Sequence, residues 1–221
     1  MSARLYLSRS EADAVEARTR ALEARTGVQV ATAVVGRCDA YAELPWKAFA
    51  LGTALAALGV VIADAWYPEW DTASTARWHA LAILGGGALL ALLIVFVQPC
   101  ARMLLDTHVA HTRSRRFAES MFLRRGLDTT RERRAILLLV AVFERRVEIV
   151  ADRGLDGIVG EPQWKSVIAH MAGELAAGRH ARALIAGLDR LEAVLAAHGE
   201  QGAWEDANAL ADRPIQAKGP Q

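Results

Sequence analysis

The chain has 221 residues, with 26 lysines and arginines against 25 aspartates and glutamates, and 53% of its residues are hydrophobic. This composition excludes an intrinsically disordered chain, and a formal net charge of +1 leaves no excess positive charge for binding a nucleic acid backbone. The two cysteines, Cys38 and Cys100, have no metal-ligand or redox spacing. They are therefore predicted to be reduced and structural.

A helix followed by a strand opens the chain. Ser8 and Glu11 have the spacing of a capping box, and Gly27 is suited to end a helix, so the pattern predicts a helix over residues 9–26. Residues 28–36 follow with the sequence VQVATAVVG, which is rich in β-branched residues. That run predicts a buried strand.

Two long apolar runs lie in the middle of the chain. Residues 48–63 contain no charged side chain, and residues 78–101 form a second uncharged run. A helix needs about 20 apolar residues to cross roughly 30 Å of hydrocarbon. Four tryptophans frame the runs, as expected at membrane interfaces: Trp46, Trp66, Trp70 and Trp78. Residues 48–101 are therefore predicted to form a transmembrane hairpin.

Small residues favour close packing of the two predicted spans. Gly52, Ala56 and Gly59 fall on one helical face of the first run, and Gly85 to Gly87 lie in the second. Small residues at helix interfaces let two backbones approach closely within a membrane. The glycines are accordingly interpreted as packing residues.

The distribution of basic residues predicts the orientation of the hairpin. Lys47 precedes it and Arg102 follows it, whereas the connecting loop over residues 64–77 has three acidic residues against the single Arg77. Basic residues close to the ends of a span favour the cytoplasmic side. Both termini are therefore predicted to be cytoplasmic.

The region after the hairpin predicts further helices and strands. Residues 102–125 have a helical pattern, and residues 135–143 and 146–152 have the pattern of two strands joined by a two-residue turn. Two amphipathic helices follow, the first beginning at Pro162.

One strand lies before the hairpin and two lie after it, and none buries its apolar face alone. The economical solution is a single α/β domain, made of residues 1–47 and 102–198 and interrupted by the hairpin over residues 48–101. Residues 199–221, with few large apolar side chains, are treated as a mobile tail.

Two segments resemble the TPM-domain family, and within it a bacterial branch of membrane proteins. They are AESMFLRRGLDTTRERRAILLLVAVFERRVEIVADRGLDGIVGEPQW and LSRSEADAVEARTRALEARTGVQVATAVVGRCDAY, and the resemblance extends over roughly residues 5–198. It implies an α/β/α sandwich located at the bacterial inner membrane, with two transmembrane helices.

The resemblance implies two functions. Some family members are auxiliary subunits of membrane proteins, which implies a non-enzymatic accessory module whose partners are the bilayer and other membrane proteins. Some plant members are reported as acid phosphatases, which implies the alternative, a metal-dependent phosphoester hydrolase. The sequence lacks a nucleophile elbow, a phosphate-binding loop and a dinucleotide fingerprint. These absences favour the accessory module, for which no cofactor is expected.

Three acidic residues are candidate ligands for a divalent cation, Ca²⁺ or Mg²⁺. Asp39 follows the first predicted strand, Asp152 ends the third, and Asp156 lies in the next turn. If these strands are parallel, the carboxylates converge at one edge of the sheet. Alternatively, Asp39 caps the next helix, and Asp152 and Asp156 order a turn through hydrogen bonds to the backbone. Where the wider family has a Gly-Tyr-Gly-Leu-Glu-Gly-like segment, this chain has Arg153 beside the acidic residues, which disfavours metal chemistry there.

A run of arginines follows the hairpin. Arg113, Arg115 and Arg116 lie in the helix that leaves the predicted membrane segment. Arginines close to a span interact favourably with anionic lipid headgroups. These three residues are therefore predicted to face lipid.

Overall fold

The computed structural model describes residues 6–66, 73–130, 133–198 and 212–219. The chain divides into two compact units. Unit 1 consists of Met1–Asp39 and His111–Gln221, and unit 2 is Ala40–Ala110.

The described residues form seven α-helices, four strands and two short 3₁₀ helices. The helices are α1 (Arg9–Thr26), α2 (Glu43–Trp66), α3 (Ala73–Phe96), α4 (Gln98–Met103), α5 (Thr107–Arg124), α6 (Glu161–Ala176) and α7 (His180–Ala197). The strands are β1 (Gln29–Val35), β2 (Ala135–Ala141), β3 (Arg146–Ala151) and β4 (Ile215–Ala217). The 3₁₀ helices are Leu127–Thr129 and Arg153–Leu155.

The four strands of unit 1 form one sheet in the order β3-β2-β1-β4. Strand β2 runs parallel to β1, in a register that pairs Gln29 with Ala135 and Val35 with Ala141. Strand β4 is also parallel to β1, whereas β3 is antiparallel to β2. Strands that precede and follow unit 2 in the sequence therefore pair within a single sheet.

Helices cover both faces of this sheet. Alternate residues of a strand point to opposite faces, and here the two faces belong to two apolar clusters. One cluster joins Val30, Val34, Ile136 and Leu138 to side chains of α1, α6 and α7. The other joins Ala33, Val35, Leu137 and Leu139 to Ala118, Met121 and Phe122 of α5. The predicted α/β/α sandwich is confirmed.

Helix α1 has the predicted bounds because its local signals are complete. The Ser8 hydroxyl accepts a hydrogen bond from the Glu11 N–H at 3.2 Å, and the Glu11 carboxylate accepts one from the Ser8 N–H at 2.8 Å. The Ser8 N–H, together with the Ser8 hydroxyl, holds the pKa of the Glu11 carboxyl below its ordinary value. Gly27 ends the helix at φ 69°, a conformation that favours glycine.

In unit 2, helices α2 and α3 pack against each other along part of the predicted small-residue surface. A Cβ atom added to Gly52 would lie 2.7 Å from the Gly86 carbonyl oxygen, and one added to Gly86 would lie 2.8 Å from the Ala56 Cβ. A Cβ atom added to Gly59 or Gly85 would meet nothing within 4 Å. Only part of the predicted small-residue set therefore lies at the helix contact.

Helix bounds after the apolar runs differ from the predicted ones. Helix α3 ends at Phe96, and Pro99 lies in the first turn of the separate helix α4. The predicted helix over residues 102–125 is also interrupted, because the Asp106 carboxylate accepts a hydrogen bond from the His108 N–H at 2.7 Å and starts α5 anew. A side-chain acceptor at this position is typical of a helix N-terminus.

The turn between β2 and β3 has four residues rather than the predicted two. The N–H groups of Val142 and Phe143 bond to the carbonyl oxygens of Val35 and Gly36, so this stretch follows β1 instead of pairing with β3. A tight turn of this kind needs a left-handed residue, usually Gly or Asn, and the turn contains neither. Arg145 adopts this conformation instead, with φ 52°.

The C-terminal tail contains a strand. Residues 212–219 include β4, which pairs with Ala33 to Val35 of β1. The prediction of a mobile tail over residues 199–221 therefore does not hold for this stretch. Residues 199–211 and 220–221 lie outside the described residues. Composition alone missed β4 because a three-residue strand has no detectable period.

Candidate functional site

Asp39 and Asp152, two of the three aspartates predicted to bind a cation, lie at opposite ends of the sheet. The Asp152 N–H donates to the carbonyl oxygen of Ala135, which pairs with Gln29 at the start of β1. Asp39 follows the other end of β1. Seven residues of strand span roughly 20 Å at about 3.3 Å per residue. The predicted convergence does not occur, because it required β1 and β3 to be parallel.

Each aspartate has a local role or an exposed position instead. The Asp39 carboxylate accepts a hydrogen bond from Arg113 Nη1 at 2.8 Å, and Asp152 Oδ1 accepts one from the Arg153 N–H at 2.7 Å at the start of the second 3₁₀ helix. Asp156 is exposed at the end of that helix. Across residues 6–66, 73–130, 133–198 and 212–219, no group of three or more His, Cys, Asp or Glu side chains is placed to hold a metal ion.

A polar cluster lies at the carboxyl ends of β1 and β2. We call it the acid network and define it as the buried residues Cys38, Ser114, Glu144 and Glu148 together with the exposed His111. Glu144 is buried, and its Oε1 accepts a hydrogen bond from the Cys38 N–H at 2.8 Å. The turn after β2 is thereby fixed to the segment that follows β1.

Glu148 joins β3 to helix α5 within the same network. It is 5% exposed, and its Oε1 accepts a hydrogen bond from the Ser114 hydroxyl at 2.6 Å. The same oxygen lies 3.4 Å from His111 Nδ1 and 3.5 Å from Arg146 Nε. A buried carboxylate with this many partners has exchanged water for fixed donors, which makes it costly to remove.

The electrostatics of the network suppress nucleophilic chemistry at its thiol. Burial raises the pKa of the Cys38 thiol well above its ordinary value, and the charges of Glu144 and Glu148 raise it further. The thiolate is the reactive form of cysteine, so a protonated, buried thiol is inert. The network is therefore built to hold β1, the β2–β3 turn and α5 together.

We expect Cys38 to resist alkylation in the folded protein. In a Cys100→Ala variant in detergent at about pH 7, a maleimide should modify no thiol until concentrated guanidinium chloride is added, and one thiol thereafter. Intact-mass measurement counts the adducts. Modification of the native protein at the rate of an unfolded control would contradict the inert assignment.

Sequence reasoning missed Glu144 and Glu148, although one signal for Glu148 was present. Positions 148 and 150 share the face of β3 that lies under α5, and Val150 is buried there. An acidic residue on the buried face of a strand needs a hydrogen-bonding partner. Ser114 is that partner, and it lies 34 residues away in the sequence.

Two of the three arginines predicted to face lipid are engaged inside unit 1. Arg113 pairs with Asp39, and Arg115 donates to the carbonyl oxygen of Ile149 at 2.7 Å and to Glu119 at 2.8 Å. Arg116 is exposed. Arg113 and Arg115 therefore attach α5 to the rest of unit 1.

Unit 2 presents apolar side chains on its surface. Leu55 is 56% exposed on α2, and Leu89 is 71% exposed on α3. By length and composition both helices could cross a membrane, with mean hydropathies of 1.9 and 2.3, and 11% of the apolar stretch of each is buried. Such a pattern is the reverse of that of an amphipathic helix in a soluble protein.

Comparison with known proteins agrees with this architecture. The model of the TPM domain family matches residues 102–194, which include α5, β2, β3, α6 and most of α7. The NMR structure of the BA42 protein from the psychrophilic bacterium Bizionia argentinensis is 12% identical to the chain. The alignment covers 97% of this chain and 98% of BA42, with a TM-score of 0.56, and shows similarity of fold. No curated protein matches the sequence.

The sheet order, the helices on both faces and the inserted helix pair define the class: a split α/β/α sandwich with a helical hairpin between β1 and β2. The family match lies within that sandwich. The chain thus contains a TPM domain, matched over residues 102–194.

Proposed function

We propose that the chain is an integral protein of the bacterial inner membrane. In this proposal α2 and α3 cross the bilayer as a hairpin, and the TPM domain lies in the cytoplasm as a non-enzymatic accessory module for other membrane proteins. The bilayer and a membrane-protein partner are thus its two binding partners, and the function requires neither a nucleic acid nor a cofactor.

The exposed apolar surface of unit 2 is the observation that carries the proposal. A helix in the core of a soluble protein buries its large apolar side chains, whereas α2 and α3 expose theirs. The residues that are at least half exposed include Leu55, Leu58, Val61 and Ile62 on α2 and Leu81, Leu84, Leu89, Leu92 and Val95 on α3. In water this surface would drive aggregation, and in hydrocarbon it is the expected surface of a span.

The sheet of unit 1 supports a hairpin rather than a single span. Strand β1 precedes unit 2 and its partner β2 follows it, and the two pair over seven residues. Two strands of one sheet must lie on the same side of a bilayer. An even number of spans satisfies this condition, and the basic residues Lys47 and Arg102 favour the cytoplasmic side.

The geometry of unit 1 supports the accessory role over hydrolysis. Asp39 and Asp152 lie at opposite ends of the sheet, and the buried thiol of Cys38 is held protonated. The polar side chains of the acid network bind one another and the backbone. Such a network makes a rigid platform, which is suited to presenting a surface to a partner.

The topology is tested by single-cysteine labelling in a Cys38→Ala, Cys100→Ala background. In intact spheroplasts, a membrane-impermeant maleimide should label Thr72→Cys, in the loop between the helices. It should label Gln221→Cys only after lysis. The protein should also stay in the membrane fraction after carbonate extraction. Release by carbonate, or labelling of Gln221→Cys in intact spheroplasts, would refute the proposed topology.

The accessory role is tested separately by photo-crosslinking in native membranes. A photoreactive residue at the exposed position Arg116 should give adducts with integral membrane proteins that the same probe at the buried position Ala118 does not give. Turnover of an aryl phosphate by the purified protein, abolished by both Asp39→Asn and Asp152→Asn, would instead establish an enzyme.

A further inference from the structure

Strand β3 lies at one edge of the sheet of unit 1, and half of its backbone groups point outwards. Within the described parts of the chain, β2 is its single strand neighbour. The Asp152 N–H donates to the Ala135 carbonyl oxygen at 2.8 Å, so the even-numbered residues of β3 bond to β2. The N–H and C=O groups of Val147, Ile149 and Ala151 therefore point away from the sheet. An edge of this kind is a template for a further strand.

A polar side chain at each end of β3 has a buried atom that makes no hydrogen bond to any described residue. At the start of the strand this atom is Arg146 Nε, which lies 3.5 Å from Glu148 Oε1. At the other end it is Asp152 Oδ2, although Asp152 is only 5% exposed. Buried polar atoms without a hydrogen bond cost free energy. The two side chains carry opposite charges and share one face of the strand.

The order of these charges makes the edge of β3 complementary to itself. When two copies of β3 pair antiparallel about Ile149, Val147 lies opposite Ala151 of the other copy. In the same register Arg146 lies opposite Asp152. Because a twofold axis relates the copies, this pair of opposite charges occurs twice. Facing Cβ atoms are about 4.5–5.5 Å apart, a separation that an arginine side chain can span.

Other registers of the same pairing are less favourable. Centred on Glu148, the pairing would place the Glu148 carboxylates of the two copies opposite each other. Centred on Val150, it would place Glu148 opposite Asp152. Like charges directly opposite each other destabilise a sheet, and centring at either end of β3 pairs fewer residues. The register about Ile149 pairs every outward-facing residue of β3 and sets only opposite charges against each other.

The opposite face of β3 adds apolar contacts to this register. Val147, Ile149 and Ala151 are partly buried and pack against the apolar cluster of α1, α6 and α7. Pairing places Ile149 against Ile149 of the second copy and Val147 against Ala151. The exposed parts of these side chains would leave water, which favours association.

One side chain occupies the middle of the edge in the single chain. Arg115 Nη1 donates to the outward-facing Ile149 carbonyl oxygen at 2.7 Å, and Arg115 Nε donates to the exposed Glu119 at 2.8 Å. In the paired state the Ile149 N–H of the second copy takes the place of Nη1, and Arg115 keeps Glu119 as its acceptor. No backbone segment has to move for the edge to become available.

We propose that β3 is a homodimer interface, in which two copies of the chain pair antiparallel about Ile149 and Arg146 of each copy bonds to Asp152 of the other. The two sheets then join into one continuous sheet. Strand addition of this kind is a common mode of recognition between proteins. The interface lies within unit 1 and does not rest on the proposed function.

Disulfide cross-linking of the purified full-length protein in detergent tests the register, in a Cys38→Ala, Cys100→Ala background. Under a mild oxidant Ile149→Cys should form a disulfide-linked dimer on a non-reducing gel, because position 149 faces itself. Val147→Cys is the matched control and should not, because the two copies of position 147 would lie roughly 13 Å apart and a disulfide needs Cα atoms within about 7 Å. Val147→Cys mixed with Ala151→Cys should cross-link.

The charge pairs are tested by reversing their signs in two differently tagged copies that both carry Ile149→Cys in the same background. In a homodimer, Arg146→Asp sets carboxylates opposite each other and Asp152→Arg sets arginines opposite each other. Each variant alone should give about a tenth of the cross-linked product. A mixture of the two restores both pairs of opposite charges and should recover the yield as a hybrid dimer. Circular dichroism checks that each variant is folded.

Four results would each overturn the proposal. They are no disulfide at position 149, equal yields at positions 149 and 147, an undiminished yield from Arg146→Asp alone, and folded variants whose mixture does not recover the yield. The comparison of positions 149 and 147 leaves Asp152 intact, so it decides the question even where Asp152→Arg does not fold.

Discussion

Replacing Gly52 with leucine should force the two helices of unit 2 apart. A Cβ atom at this position would lie 2.7 Å from the Gly86 carbonyl oxygen and 2.9 Å from the Gly87 Cα. Both are backbone atoms, which cannot rotate away as a side chain would. Overpacking costs about 1–3 kcal/mol, and separation also loses the van der Waals contacts that hold helices together in a membrane. We expect a loss of about 3 kcal/mol.

Gly59→Leu is the matched control. The same side chain is added to the same helix, but a Cβ atom there meets nothing within 4 Å. Both changes gain the same helix propensity over glycine, about 0.8–1 kcal/mol, so their difference isolates the helix contact. An SDS titration in bicelles, followed by the susceptibility of unit 2 to subtilisin pulses, measures it. Equal stability of the two variants would mean that Gly52 does not lie at a tight contact.

Removing the Glu148 side chain should destabilise unit 1. In Glu148→Ala the buried Ser114 hydroxyl loses its 2.6 Å acceptor, and His111 and Arg146 lose a neighbouring negative charge. Hydrogen bonds to charged groups contribute about 1.5–3 kcal/mol, so we expect a loss of about 2–3 kcal/mol. Thermal unfolding in detergent, followed by near-UV circular dichroism, measures the change.

Two further variants separate this network from ordinary surface charge. Glu148→Gln keeps an oxygen that accepts from Ser114 and should lose less than Glu148→Ala. Glu119→Ala removes an exposed carboxylate of α5 that pairs with Arg115, and it should change stability by about 0.5 kcal/mol or less. If Glu148→Ala were as mild as Glu119→Ala, the network would have no structural role.

The two units differ in where their apolar side chains lie. Unit 2 has an apolar exterior that suits hydrocarbon, and unit 1 has a sandwich core whose sheet includes strands from both sides of the insertion. Inserting a hairpin between parallel neighbours leaves the sheet intact because both ends of the hairpin return to the same side. The proposed membrane anchor is therefore compatible with the observed sheet of unit 1.

Local signals made much of the fold predictable. The capping box of Ser8 and Glu11, the left-handed Gly27 and the β-branched run that becomes β1 all act within a few residues, and the helix and strand bounds follow from them. The two apolar runs predicted the helices α2 and α3 for the same reason. The predicted start of the next helix at residue 102 was wrong, because Asp106 caps α5.

The candidate site was less predictable because its contacts join distant segments. Glu148 bonds to Ser114 across 34 residues, and Glu144 bonds to Cys38 across 106. The metal hypothesis for Asp39 and Asp152 required β1 and β3 to be parallel. The predicted short turn makes β2 and β3 antiparallel, but no local pattern encodes the direction of β1 relative to β2. The structure pairs β1 with β2 in parallel, so β1 and β3 run in opposite directions.

The sequence by itself determined the α/β class, the two apolar helices and the family resemblance, because composition and short-range periodicity carry this information. The tertiary structure alone decided the sheet order, the separation of the aspartates, the acid network and the pairing of β4 with β1. Each of these depends on which residues the folded chain brings together over long separations, and the free energy of such a contact exists only once the whole core has formed.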